Sequence, residues 1–167
     1  MKSYFNVIRN LAGILLFSTF SLGLFAQANF SGSWALNESK SNFGDSQFRM
    51  AASAMTITQD AKVLTVESTR QGRDGAERKT TSKYNLDGSV SENPGFGNST
   101  SKSKATWSAD KKSLTIVTTM NFERDGQSTE FKTTAVWTLA DGLLKIDTTR
   151  PGMDGGETKT TAAYDKK

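Results

Sequence analysis

The sequence predicts an all-β protein, an antiparallel up-and-down meander of eight to ten strands closed into a barrel. One short helical segment is expected between strands 1 and 2. Three observations carry this. From Asn29 onward only 42 of 139 residues are apolar, while Ser and Thr together number 36. That is too polar for a helix-rich core and suits strands with one wet face. Apolar residues recur with period two over short runs bounded by Gly- and Asp-bearing turns. One hairpin pattern also appears again and again.

The repeat is explicit. Glu77–Tyr84, Glu130–Trp137 and Glu157–Tyr164 all read E-x-K-T-T-x-x-aromatic, and Lys102–Trp107 is a weaker copy. Upstream of each strong copy runs a partner strand: Leu64–Arg70, Leu114–Met120 and Leu144–Arg150. Each pair is a β-hairpin.

In chain order the strands are expected at 29–36, 53–59, 62–70, 76–86, 89–93, 100–108, 113–121, 127–139, 143–150 and 157–165. Residues 37–52, which include Ser46–Ala52, supply the short helical segment and a candidate lid. Strand 89–93 is faint in sequence but required by parity. Without it, strands 76–86 and 100–108 would run parallel, which needs a longer crossover than this stretch allows. Tight turns carry Asp60, Asp87, Asp110 and Asp141, and Asp and Gly accept hairpin-turn angles at little cost. Longer loops at Gln71–Gly75, Asn93–Asn98, Phe122–Gly126 and Pro151–Gly156 fall at the opposite end. With ten strands the last runs against the first, so the sheet can close and hide its edges.

Alternation assigns the faces. Trp34, Tyr84, Trp107, Trp137 and Tyr164, with Leu, Ile and Val layers, fill the tight-turn end as a floor. Toward the long loops the same face becomes Ser68, Thr118 and Thr148, with Met120 and Phe131, then Arg70, Arg78 and Arg150. Small hydroxyl side chains fill a barrel poorly, so water or a ligand is expected there. The opposite face carries Glu67, Lys79, Lys132, Asp147 and Lys159, which must face water. An outer-membrane barrel needs its apolar residues outward, so this pattern excludes one.

The first 28 residues read as a bacterial-type secretory signal peptide: Lys2 and Arg9, an apolar run from Leu11 to Phe25, and Ala26-Gln27-Ala28 as cleavage site. Residues 29–167 then form a single domain. Cleavage removes two of the 21 basic residues and none of the 17 acidic ones, leaving a net charge of +2. No basic stripe with interleaved aromatics argues for nucleic acid, and no span is expected in the mature protein. With no Cys and no His, the sequence holds no lipid-attachment cysteine, disulfide, Ser-His-Asp triad, Cys nucleophile or His/Cys zinc site. Every carboxylate that can be placed faces outward or sits in a turn. No enzyme activity, metal or cofactor is expected. The product is expected to be periplasmic or secreted, monomeric and not lipid-anchored.

Phe30-Ser31-Gly32-Ser33-Trp34 resembles the F-x-G-x-W opening of the calycins, the lipocalins and fatty-acid-binding proteins. That resemblance implies that Gly32 lets the first strand pass closely over the floor while Trp34 plugs it. The segment after strand 1 and the ending straight after the last strand look more like the fatty-acid-binding branch. That branch carries Arg-x-Tyr on its final strand to hold a carboxylate, and here those positions read Ala162-Ala163-Tyr164. The arginine would have to come from another strand, as Arg70 or Arg150.

The expected function is non-enzymatic binding or carriage of a small hydrophobic or amphiphilic molecule, with Arg70, Arg78, Arg150, Ser68, Thr118, Thr148, Met120 and Phe131 as contacts. The blander readings place the arginines at the rim, paired with Asp74 or Asp154, and Met120 and Phe131 in the core. The alternative function is a module with a self-filled barrel that meets a protein or glycan through its loops, above all Asn93–Asn98 with Phe96.

Overall fold

The computed structural model describes residues 26–44, 51–72, 75–95, 99–124, 127–152 and 155–167, with backbone alone at 122–124 and 127. Ten strands make one antiparallel sheet: β1 (Gly32–Leu36), β2 (Ala54–Gln59), β3 (Val63–Gln71), β4 (Glu77–Asn85), β5 (Val90–Pro94), β6 (Thr100–Trp107), β7 (Ser113–Arg124), β8 (Gln127–Ala140), β9 (Leu143–Pro151) and β10 (Glu157–Lys166). Residues 1–25 of the leader, 45–50 of the expected helical segment and the tips of the long loops, including Phe96, Asp74 and Asp154, lie outside the described residues. Between β1 and β2 the described residues hold one 3₁₀ turn, Glu38–Lys40, capped by the Asn37 side chain.

The sheet runs β4-β3-β2-β1-β10-β9-β8-β7-β6-β5. The ends of the chain therefore meet: Trp34 lies opposite Lys166, and Leu36 opposite Tyr164. Beyond β1 the chain continues along β10, with Asn42 exchanging backbone bonds with Thr161 at 2.8 and 2.7 Å. Faint strand β5 is present and pairs with β6 from Val90–Lys104 to Pro94–Thr100. The two sheet edges, β4 and β5, are consecutive in sequence, so the barrel is nearly closed with a seam between them.

Local chemistry explains the tight end. Asp60 Oδ1 accepts the backbone N–H groups of Lys62 and Val63, both at 2.7 Å. Asp87 accepts from Ser89 and Asp110 from Lys112, at 2.9 and 3.1 Å. Hydrogen bonds to the charged form hold these three carboxyls below their ordinary range, led by Lys62, Ser89 and Ser108 respectively. Asp141 and Gly142 both take positive φ, 56° and 76°, as a type I′ hairpin demands.

At the other end two loops repeat one geometry 80 residues apart. Gly72 N–H donates to Ala76 O and Gly152 N–H to Gly156 O, each at 2.8 Å.

Candidate functional site

Directly opposed residues of an antiparallel pair share a face, so the register fixes what looks inward. At the tight-turn end, Leu64 lies opposite Tyr84, Leu114 opposite both Trp107 and Trp137, and Leu144 opposite Tyr164. Phe30 is fully buried beneath them; its ring stacks on Trp107 at 5.8 Å and meets Trp137 edge-on at 5.9 Å. Trp34 Nε1 donates to the Phe30 carbonyl at 2.9 Å, and Lys166 Nζ lies 5.7 Å from the Trp34 ring centre. Trp107 Nε1 is buried with no partner among the described residues. Trp34, Trp137 and Tyr164 are buried, and Tyr84 and Trp107 pack partly exposed against them. These five aromatic residues belong to one packed cluster.

The expected ligand contacts also fall on the inner face, toward the long loops, in two groups. On β3 and β4, Ser68 lies opposite Thr80 and Arg70 opposite Arg78. On β7, β8 and β9, Thr118 lies opposite Thr133, Met120 opposite Phe131, and Thr148 opposite Ala135. Arg150 lies opposite Thr158 of β10. Ser68, Thr118, Met120, Phe131, Thr148 and Arg150 are half-buried, whereas Arg70 and Arg78 are exposed. Arg70 and Arg150 sit on strands separated by β2, β1 and β10.

Four site-level residues escaped the sequence reading. Ser91, Asn93, Ser101 and Ser103 are the buried polar side chains among the described residues, and all four belong to β5 and β6. Their bonds are local. Ser91 Oγ accepts Asn85 N–H at 2.8 Å; Ser101 Oγ donates to Asn93 O at 3.2 Å; Ser103 Oγ lies 2.9 Å from Thr118 Oγ1. The alternation of small polar with charged residues in Ser101–Lys104 is the signal that would have placed them.

Burial raises the Tyr84 phenol, against weaker opposing pulls from Ser82 and the Arg70 charge. It pushes Tyr164 up to about 12, opposed by the Arg70 charge and an Ala52 N–H bond. An exposed guanidinium thus acts electrostatically on two phenols that belong to the floor.

Two grooves of about 310 Å³ each are lined by consecutive residues of neighbouring strands, so inward Ser68 and Thr80 in one and Thr148 and Thr160 in the other join outward residues. Glu67, Thr69, Lys79 and Thr81 line one; Asp147, Thr149, Lys159 and Thr161 line the other, at equivalent repeat positions. Among the described residues no group of three acidic residues could hold a metal, and no helix is long and apolar enough to cross a membrane.

No protein-family model matches the chain, and comparison with curated proteins gives no match. Among solved structures the chain is similar to a zebrafish ileal bile-acid-binding protein crystallised with cholic acid. The TM-score is 0.55 at 15% identity, covering 84% of this chain and 100% of that one. At that identity the likeness speaks for the fold, and it agrees with the ten-strand order and the short opening motif. The chain has the fold of that barrel, ten antiparallel strands in one nearly closed meander.

Proposed function

We propose that the protein is exported and binds or carries a small hydrophobic or amphiphilic molecule inside its barrel, without catalysis. One observation carries this reading. The inner face changes from a packed aromatic floor to half-buried hydroxyls at Ser68, Thr118 and Thr148, beside half-buried Met120 and Phe131. Side chains of that size fill a barrel poorly, and their mixed polarity suits a ligand that is apolar at one end. The similar solved barrel held cholic acid, an amphiphile, which supports the same class of ligand. Export rests on the leader-like first 28 residues. The non-enzymatic reading rests on the absence of His and Cys and on the outward or turn positions of the acidic side chains.

Native mass spectrometry of protein purified from its own host tests the proposal. A reproducible co-purifying small molecule is the expected result. An empty barrel that also ignores fatty acids and a neutral environment-sensitive dye would overturn it and favour a self-filled interaction module.

A further inference from the structure

The segment that enters β1 is strapped under the floor by hydrogen bonds on both sides of one peptide link. Ala28 N–H donates to Lys111 O, in the turn between β6 and β7, at 2.9 Å. Gln59, the last residue of β2, holds the chain twice. Its Nε2 donates to Ala28 O at 2.9 Å, and its Oε1 accepts Phe30 N–H at 3.0 Å. Its backbone N–H donates to Ser31 Oγ at 3.0 Å, while Asn29 Oδ1 accepts Ser31 N–H at 2.9 Å. Ala28 packs half-buried against the core, and Phe30 is fully buried.

The Ala28–Asn29 bond is the one at which the leader-like segment is expected to end. Hydrolysis adds water across it, leaving a carboxylate on Ala28 and an ammonium on Asn29. A peptidase must first draw the scissile carbonyl oxygen onto its own donors, in an extended segment with free backbone groups. Here Gln59 already donates to that oxygen, and Lys111 O takes the N–H of the same residue. Phe30, two residues on, is fixed against Trp107 and Trp137. Asn29 itself is exposed, so the bond is closed by its neighbours' hydrogen bonds rather than by depth. Cutting then requires local opening of the strap.

We propose that Ala28–Asn29 is a processing site closed by folding, with Gln59 as its clamp. The leader is removed before the floor forms, and a chain that folds first keeps it. This rests on the export reading above and adds an order of events to it.

The test sets a bacterial leader peptidase, in detergent micelles, on the full 167-residue chain. Leu114→Asp with Leu144→Asp puts charges at two fully buried positions and gives an unfolded reference of the same length. Mass spectrometry identifies the 29–167 product, and circular dichroism reports which chains are folded. The reference should be cut, and folded wild type at least about thirtyfold more slowly, the scale of two ordinary hydrogen bonds. Gln59→Glu keeps an acceptor for Phe30 N–H but loses the donor to Ala28 O. It should be cut at least about fivefold faster than folded wild type. Gln59→Met loses both bonds and should be cut at least as fast as Gln59→Glu. Thr58→Ala, an exposed change on the same strand, should match wild type within about twofold. Thermolysin digestion of the barrel reads global unfolding and should rise less than cutting after Ala28 in both Gln59 variants. Folded wild type cut as fast as the reference, Gln59 variants cut no faster than wild type, or digestion rising in step with cutting would overturn the clamp while leaving export intact. If the reference is not cut after Ala28, the leader reading falls and this one with it.

Discussion

The carboxamide of Asn93 occupies on Lys83 the two bonding positions that a neighbouring strand would fill. Its Oδ1 accepts Lys83 N–H at 2.6 Å and its Nδ2 donates to Lys83 O at 2.9 Å. Two residues away Ser91 Oγ accepts the Asn85 N–H, and Asn85 Nδ2 donates to Val90 O at 3.2 Å. The seam between β4 and β5 is thus closed by side chains. This places strand-edge groups of β4 in contact with partners without a backbone ladder, and it accounts for two of the four buried polar residues of β5 and β6, Ser91 and Asn93.

Asn93→Leu removes both bonds and leaves a part-buried N–H and C=O on Lys83, which should cost about 1–3 kcal/mol of stability. Amide exchange locates the effect. Lys83 and Asn85, whose N–H groups face the seam, should exchange faster. Ser82 and Tyr84, which by alternation face β3, should not. A uniform rise over all of β4 would show that the seam has no separate opening.

Much of this architecture is legible in the sequence, for identifiable reasons. The repeated hairpins and the period-two pattern fix ten strands, and parity demands the weak β5. The aromatic cluster is legible because Tyr84, Trp107, Trp137 and Tyr164 are large and recur at one place in the repeat. The seam is not legible, because strand pairing between β4 and β5 depends on how far the barrel curls, which no local pattern encodes. Asn93 reads as a loop residue before Pro94 and Gly95. Arg70, Arg78 and Arg150 are legible as inward by alternation, but only the register shows which two stand opposite each other.

Gly32 adopts φ of 142°, a region that L side chains avoid, and a Cβ there would lie 2.9 Å from Lys166 Cε. The lysine end can move; the backbone angle cannot. Gly32→Ala should therefore lower stability by about 1–3 kcal/mol. Adding Lys166→Ala should recover little of it in denaturant unfolding. Full recovery would mean that the contact, not the angle, demands glycine.

The two partnered and unpartnered indoles of the floor give a paired comparison. Trp34→Phe leaves the buried Phe30 carbonyl without its 2.9 Å donor, whereas Trp107→Phe removes a donor that has no partner among the described residues. The same substitution should cost at least about 1 kcal/mol more at Trp34 than at Trp107. Equal thermal shifts would show that lost packing, not hydrogen bonding, sets both effects.

Tyr164 makes the fold sensitive to alkali. Its phenol, pushed up by burial to about 12 against an ordinary value near 10, keeps its proton in the folded chain after the unfolded chain has released its own. Its contribution to stability is complete below pH 10 and is lost as pH rises toward 12. The slope is at most about 1.4 kcal/mol per pH unit. The raised Tyr84 phenol acts in the same direction. Urea unfolding from pH 8 to 12, read beside phenolate absorbance, should show this fall in the wild type and a shallower one in Tyr164→Phe. Arg70→Gln removes a charge that favours phenolate, so the Tyr164 titration should move higher still. A Tyr164 that titrates near pH 10 would contradict both its burial and the reach of Arg70 into the floor.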